Sequence, residues 1–300
     1  MATPFLHAGE VAALGTAVCW TASSLAFEAA GRRVGSLAVN LIRLVMAVFL
    51  LGAFTMVTRG MPLPLDASAH AWLWLALSGL VGFTIGDLCL FRAFVVVGAR
   101  VSMLLMTLVP VITAAAGYLV MGEVLSPTQL LGMALTIAGV STVVWERRRN
   151  AEGGLERLPV SGVLLGLAGA AGQAVGLVLS KVGMGNYNAF AATHIRVIAG
   201  CVGFAVVFTL TGWWPRVRSA VRDRRAMAVT GVGAVFGPFL GVSLSLLAVK
   251  LTEAGVAATL MALAPVLIIP VSVVAFRERI AWPTIIGAAV AVSGSALLFL

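Results

Sequence analysis

Charge is what this chain has least of: of its 300 residues only 10% are Asp, Glu, Lys or Arg, where a globular protein carries roughly 25%. Cysteine is scarce as well. Cys19, Cys89 and Cys201 are odd in number and each sits in an apolar stretch, which excludes a disulfide scaffold and reads as small buried hydrophobes. The three histidines, His7, His70 and His194, are scattered, and no acidic or Cys/His cluster has metal-ligand spacing. There is no G-x-x-x-x-G-K-[ST] loop, so no internal ATPase is encoded. Neither H-E-x-x-H nor G-x-S-x-G occurs, and nothing suggests an enzyme or a cofactor.

What is present is apolar. Hydrophobic residues make up 61% of the chain and the mean hydropathy is +1.07. A bilayer core needs about 20 apolar residues per helix, and such segments run at 10–30, 36–58, 71–97, 99–121, 127–146, 160–181, 188–211, 226–249, 254–276 and 281–299. They are too long and too continuous for the alternating strands of a membrane barrel. The expected fold is therefore all-α and polytopic, with ten transmembrane helices. Met1–Glu10 carries no Lys or Arg, so it lacks the basic start of a signal peptide, and the first segment is expected to be a retained helix.

A charged, Gly-containing linker at 147–158 divides the chain into 1–146 and 159–300, and the halves resemble each other. Shifted by 155 residues, MTLVPV (Met106–Val111) falls on MALAPV (Met261–Val266), Glu123 on Glu278, Gly132 on Gly287 and Gly139 on Gly294. Gly82 and Gly86 fall on Gly237 and Gly241 without a gap, and IRLVMA at Ile42–Ala47 matches IRVIAG at Ile195–Gly200 after a two-residue adjustment. Five helices per half mean that the second half enters from the opposite face. Two inverted five-helix repeats around a midplane site are a transporter signature, because rocking one half against the other alternates access.

The net charge of +9 is explained by loops rather than by nucleic acid. Loops after the odd-numbered helices hold fourteen basic residues, those on the other side hold Arg59, Lys181 and Lys250, and Arg43, Arg92 and Arg196 lie inside helices. By the positive-inside rule the odd loops face the cytoplasm and both termini lie outside.

Ionisable groups inside spans cost roughly 2.5–3.5 kcal/mol each at the helix centre, so each needs a reason. Asp87, deep in the third segment, is a candidate proton-coupling or amine-binding site; the competing reading is an ion pair with Arg43 or Arg92. Arg43 and Arg196 occupy repeat-equivalent positions and suit a carboxylate or phosphate, with snorkelling as the alternative. His194 beside Arg196 titrates near neutral pH in water. Gln173 and Trp20 lie in equivalent helices and, with Ser23 one turn on, are candidates to line a cavity with polar tips. Met106 and Met261 offer a soft surface to varied ligands. Pro110 and Pro265 are expected to kink their helices. Glycine pairs four apart, such as Gly172/Gly176, allow close helix approach. Glu123 ends the fourth segment and is expected to cap the next helix.

The paired motifs LVPVITAAAGYLVMGEVLSPTQLLGMALTIAGV and LAPVLIIPVSVVAFRERIAWPTIIGAAVAVSGS resemble the EamA-type branch of the drug/metabolite transporter superfamily over nearly the whole chain. The resemblance implies a multi-pass carrier of the bacterial inner membrane, often an exporter of amino acids or related metabolites, with a central cavity lined by both repeats. It makes Pro110, Glu123, Pro265 and Glu278 framework residues and leaves Asp87 outside the family pattern. It commonly places both termini in the cytoplasm, opposite to the charge count. The partners it admits are a small-molecule substrate, the lipid bilayer, protons as coupling ion and a second copy of the chain; nucleic acid is not among them. A lipid flippase or a non-transporting membrane scaffold is the alternative.

Overall fold

The computed structural model describes residues 7–97, 102, 105–152, 159–264, 266–267 and 282–297. All regular structure among them is helical. In chain order the helices are α1 (Ala8–Val34), α2 (Ser36–Arg59), α3 (Ala69–Gly79), α4 (Asp87–Val96), α5 (Val109–Met121), α6 (Pro127–Glu152), α7 (Val160–Met184), α8 (Ala189–Thr211), α9 (Trp214–Arg222), α10 (Arg224–Ala234), α11 (Val242–Leu251), α12 (Ala254–Met261) and α13 (Trp282–Leu297). One continuous rod is formed by α3, a π-helical turn at Leu80–Gly86 and α4; a second is formed by α10, a π-helical turn at Val235–Gly241 and α11.

Among the described residues six helical stretches have the length and composition to cross a membrane: Ala8–Val34, Ser36–Arg59, Ala69–Ala93, Val160–Met184, Ala189–Thr211 and Arg224–Leu251. Their outward faces fit hydrocarbon, with Val57 and Leu210 at least 80% exposed. Apolar surface on this scale is foreign to a soluble monomer. The protein is a multi-pass, all-α membrane protein.

Several local expectations need correction. Pro110 does not kink a long helix. The chain turns at Thr107–Leu108, and Pro110 sits in the first turn of α5, where its missing N–H costs nothing. The expected linker at 147–158 is helical up to Glu152, because Glu, Arg and Ala in that stretch are good helix formers. The loop after the seventh segment holds a helix of its own, α9, whose Val217 and Ala220 are buried while Arg216, Arg218 and Arg222 are exposed. Pro265 and Glu278 lie outside the described residues.

Much of the packing crosses the midpoint of the chain. The α3–α4 rod lies against α7, the α10–α11 rod against α1, α2 against α8, α5 against α7 and α12, and α6 against α13. Glycine makes this possible. A Cβ on Gly172 would stand 2.8 Å from the Cα of Gly86, and one on Gly176 would stand 3.1 Å from that of Gly82. Likewise Gly139 packs on Gly287 and Gly294 packs on Gly132, the would-be Cβ atoms standing 2.5 and 2.8 Å from those carbonyl oxygens. The second contact is the first with the halves exchanged. Gly122 (φ 67°) closes α5 in the left-handed region, which only glycine enters without strain.

Because α7 touches the α3–α4 rod backbone to backbone, Gly172→Ala should cost about 1–3 kcal/mol in unfolding measured in detergent. Gly231→Ala, with no atom within 4 Å of the new methyl, should leave stability unchanged or slightly raised.

Candidate functional site

The π-helical turn at Leu80–Gly86 sets the position of Asp87. Such turns insert an extra residue into a helix and recur at functional sites; here the Asp87 N–H reaches back to the Gly82 carbonyl. Glycine at 82 and 86 lets α7 close on this stretch, and α7 presents Gln173. The amide of Gln173 donates from Nε2 to Asp87 Oδ1 at 2.7 Å, and at 3.4 Å to the Gly82 carbonyl that the turn leaves accessible. From α2, Arg43 donates from its terminal guanidinium nitrogen to Asp87 Oδ2. Its Nε donates to Asn40 Oδ1 at 2.6 Å, and the guanidinium lies 5.1 Å from the Phe27 ring centroid. Asp87 is 4% exposed. Three spans thus converge on one carboxylate.

Arg196, on α8, approaches the same turn from its other end. It is buried, its guanidinium lies 5.0 Å from the Phe83 ring centroid, and one terminal nitrogen would be 3.5 Å from a Cβ built on Gly82. Among the described residues its Nε has no hydrogen-bond partner.

The other candidates scatter. Trp20 and Ser23 pack on the second π-helical turn, Trp20 against Gly241 and Ser23 against Gly237, and Ser23 Oγ donates to the Trp20 carbonyl at 3.2 Å. His194 is fully buried, and among the described residues neither ring nitrogen has a hydrogen-bond partner. It faces Gly52 on α2, because residues two apart on a helix point to different sides. Met261 is core in α12 and Met106 is half-buried. Arg92 is exposed, so of the two arginines considered for Asp87 it is Arg43 that pairs. Phe27, Phe83 and Asn40 were not singled out by sequence. Phe83 stands one turn before Asp87, a spacing that would have flagged it.

A second polar cluster closes the end of the bundle where α2, α5, α7 and α11 stop. Glu123 is central to it. Its Oε1 pairs with Lys181 at 2.5 Å, and its Oε2 accepts from the Ala254 N–H at 3.0 Å. Glu123 therefore caps α12 from the opposite half rather than the next helix, whose start is satisfied by the reciprocal Ser126–Gln129 bonds of a capping box. Lys181 also donates to the Thr252 carbonyl at 2.6 Å, and Thr252 Oγ1 donates to Glu10 at 3.2 Å. Lys250 donates to the carbonyls of Asn186 and Tyr187 at 2.8 and 3.0 Å. Arg59 pairs with Asp66, which also accepts from the Tyr187 hydroxyl at 2.8 Å. That hydroxyl, together with Arg59, holds the Asp66 carboxyl below its ordinary range. A cleft of about 340 Å³ opens among Glu123, Lys181, Lys250, Thr252 and Glu253.

At the opposite end Arg33 pairs with Asp223, whose Oδ1 caps α10 through the Ala226 N–H at 3.0 Å. That backbone donor, with Arg33, keeps the Asp223 carboxyl below the usual carboxylate range. Among the described residues no group of three or more His, Cys, Asp or Glu side chains could hold a metal ion.

Comparison with known proteins bears on the whole chain. A family model described as the EamA-like transporter family matches residues 7–145 and again 160–300. Among curated proteins no relative matches. A solved structure titled only as the crystal structure of a protein is similar at a TM-score of 0.75, covering 96% of this chain and 95% of its own, at 19% identity. At that identity the likeness concerns the fold.

Two outcomes follow from the site's electrostatics. Arg43→Gln leaves Asp87 short of its cation and should destabilise by about 3–5 kcal/mol; adding Asp87→Asn should recover at least half, and strictly additive losses in the double-mutant cycle would show no coupling. The Asp66 carboxyl is held below its ordinary range, so its contribution is fully present above the unfolded value of about 3.9 and is lost as pH falls through the lower folded value. Asp66→Asn should therefore lower Tm near neutrality, and its difference from the parent should shrink below about pH 4.

Proposed function

Because the chain belongs to the EamA-like transporter family, we propose that the polar cluster at the first π-helical turn is where it handles its substrate. The protein is a secondary transporter that moves small molecules across a membrane. The finer reading is a carrier of amino acids or related metabolites, working outward across the bacterial inner membrane by alternating access. Its proposed architecture is ten helices in two inverted five-helix repeats. Supporting that architecture, the two π-helical turns lie 155 residues apart, at Leu80–Gly86 and Val235–Gly241. Thr136 Oγ1 also makes a long contact of 3.4 Å with the carbonyl of Ala291, its own counterpart at the same shift.

The observation that carries the reading is the meeting of Arg43, Asp87 and Gln173. Two of them belong to the first half and one to the second. A rocking motion between halves must break or re-aim the Gln173–Asp87 bond. The carboxylate would then alternate between a state satisfied by both halves and one held by Arg43 alone. The closed end supports the same view. The basic residues on that side, Arg59, Lys181 and Lys250, are each tied to another segment by an ion pair or a hydrogen bond, so polar contacts draw together the end that the charge count places outside.

The test is flux of radiolabelled amino acids through proteoliposomes holding the purified chain. Expected is saturable movement that empty vesicles lack, accelerated by a proton gradient, with the gradient dependence abolished in Asp87→Asn. Gradient dependence retained in that variant would remove Asp87 from coupling. Movement of a labelled lipid without amino-acid flux would replace the carrier reading with a flippase.

A further inference from the structure

The two intramembrane arginines are 153 residues apart, at matching places in α2 and α8, yet their surroundings differ in one decisive respect. Arg43 faces a carboxylate. The counterpart of Asp87 at the repeat shift is Val242, which is buried and apolar. The second half thus kept its arginine without an acid to face it. Arg196 is 4% exposed, its Nε has no acceptor among the described residues, and its guanidinium lies on the face of Phe83. Asp87, whose charge does reach it, has both oxygens already engaged by Arg43 and Gln173. Arg43, Asp87 and Arg196 therefore sum to one uncompensated positive charge inside the membrane.

Removing a cation from water without a partner is costly, and a π face offsets only part of that cost. A merely structural role would be served better by an apolar residue of similar size. The guanidinium presents a planar fork matched to an oxyanion, and it stands beside Gly82, where no side chain competes for it. We propose that Arg196 is the receptor for an oxyanion of the transported molecule, the carboxylate of a small organic acid or amino acid, and that Arg43 is not. Binding brings the cluster from one positive charge to neutrality. The proposal deepens the transporter reading above and rests on it. The two arginines, alike in sequence, divide their work: Arg43 holds Asp87, and Arg196 waits for the ligand.

The experiment uses the purified full chain in detergent and in proteoliposomes. Probes are the proteinogenic amino acids at millimolar concentration, the carboxamide of each, and inorganic phosphate. Expected are a thermal shift and flux with a subset of the acids and neither with their amides. Arg196→Gln should weaken binding of those acids by about 10- to 100-fold. The ligand-free Tm of that variant should be equal to or above the parent's, because an unpaired buried charge is gone. Arg196→Lys, which keeps the charge and loses the fork, should fall between. A ligand-free Tm well below the parent's, with acid binding intact, would make Arg196 structural and overturn the proposal. Amides bound and moved as well as acids by the parent would overturn it without a variant and leave the carrier reading standing. A shift with phosphate alone would keep the oxyanion site and remove amino acids as its ligand. Silence of every probe in both assays would overturn both readings.

Discussion

The buried ion pair between Arg43 and Asp87 is the interaction on which the rest of this structure leans. Neither residue could lie where it does alone, since each is a charge inside hydrocarbon. Asp87 is placed by the π-helical turn, Arg43 by its position about 10 Å into α2 at 1.5 Å per residue, and Gln173 by the glycine-lined approach of α7. Remove any of the three supports and a polar group is stranded. The pair thus specifies which faces of α2, α4 and α7 meet, while the glycines decide how closely.

Near-symmetry gives the frame, and its breaking gives the chemistry. Contacts such as Gly139 on Gly287 and Gly294 on Gly132 are nearly interchangeable between halves, as expected of packing that depends only on small residues and backbone shape. Apart from the matched arginines, the polar residues at the two turns obey no such exchange. Gln173 matches Trp20, and Asp87 matches Val242. At the first turn a carboxylate, an amide and an arginine gather; at the second, an indole ring covers Gly241. On the proposed reading, a frame with one polar side suits a ligand with a charged end and an apolar body, because each turn would then meet the part of the molecule it can satisfy.

How much of this was legible follows from range. Apolar segments, matched glycines and the ion-pair alternative for Asp87 could be read because hydropathy and repeat spacing are local properties of the string. The π-helical turns could not, since an extra residue in a helix leaves the hydropathy pattern almost unchanged; Gly82, Gly86, Gly237 and Gly241 marked the places without naming the geometry. Pro110 was misjudged for a related reason. Proline in an apolar run signals a kink only if the helix has already begun, and here the turn at Thr107–Leu108 lets it start afresh. Glu123 capping α12 across the midpoint lay beyond any reading of neighbours. His194 and Arg196 seemed one site in sequence and face different helices in space.

The closed end and the central cluster are coupled through shared helices, and the coupling has a direction. Lys181, which ties Glu123 to Thr252, is on the same helix as Gln173, two turns further along. Any movement of α7 that frees Lys181 from Glu123 also displaces Gln173 from Asp87, since a helix moves as a rod over so short a distance. The outer ion pairs are weak in water, and the inner bond is short and shielded. Opening at that end is therefore opposed chiefly by the inner contact, and a ligand that gives the central charges another partner lowers the larger of the two costs. On the proposed reading an anion at Arg196 acts in this sense, because it supplies the negative charge that Arg196 lacks while Asp87 is held by Arg43 and Gln173.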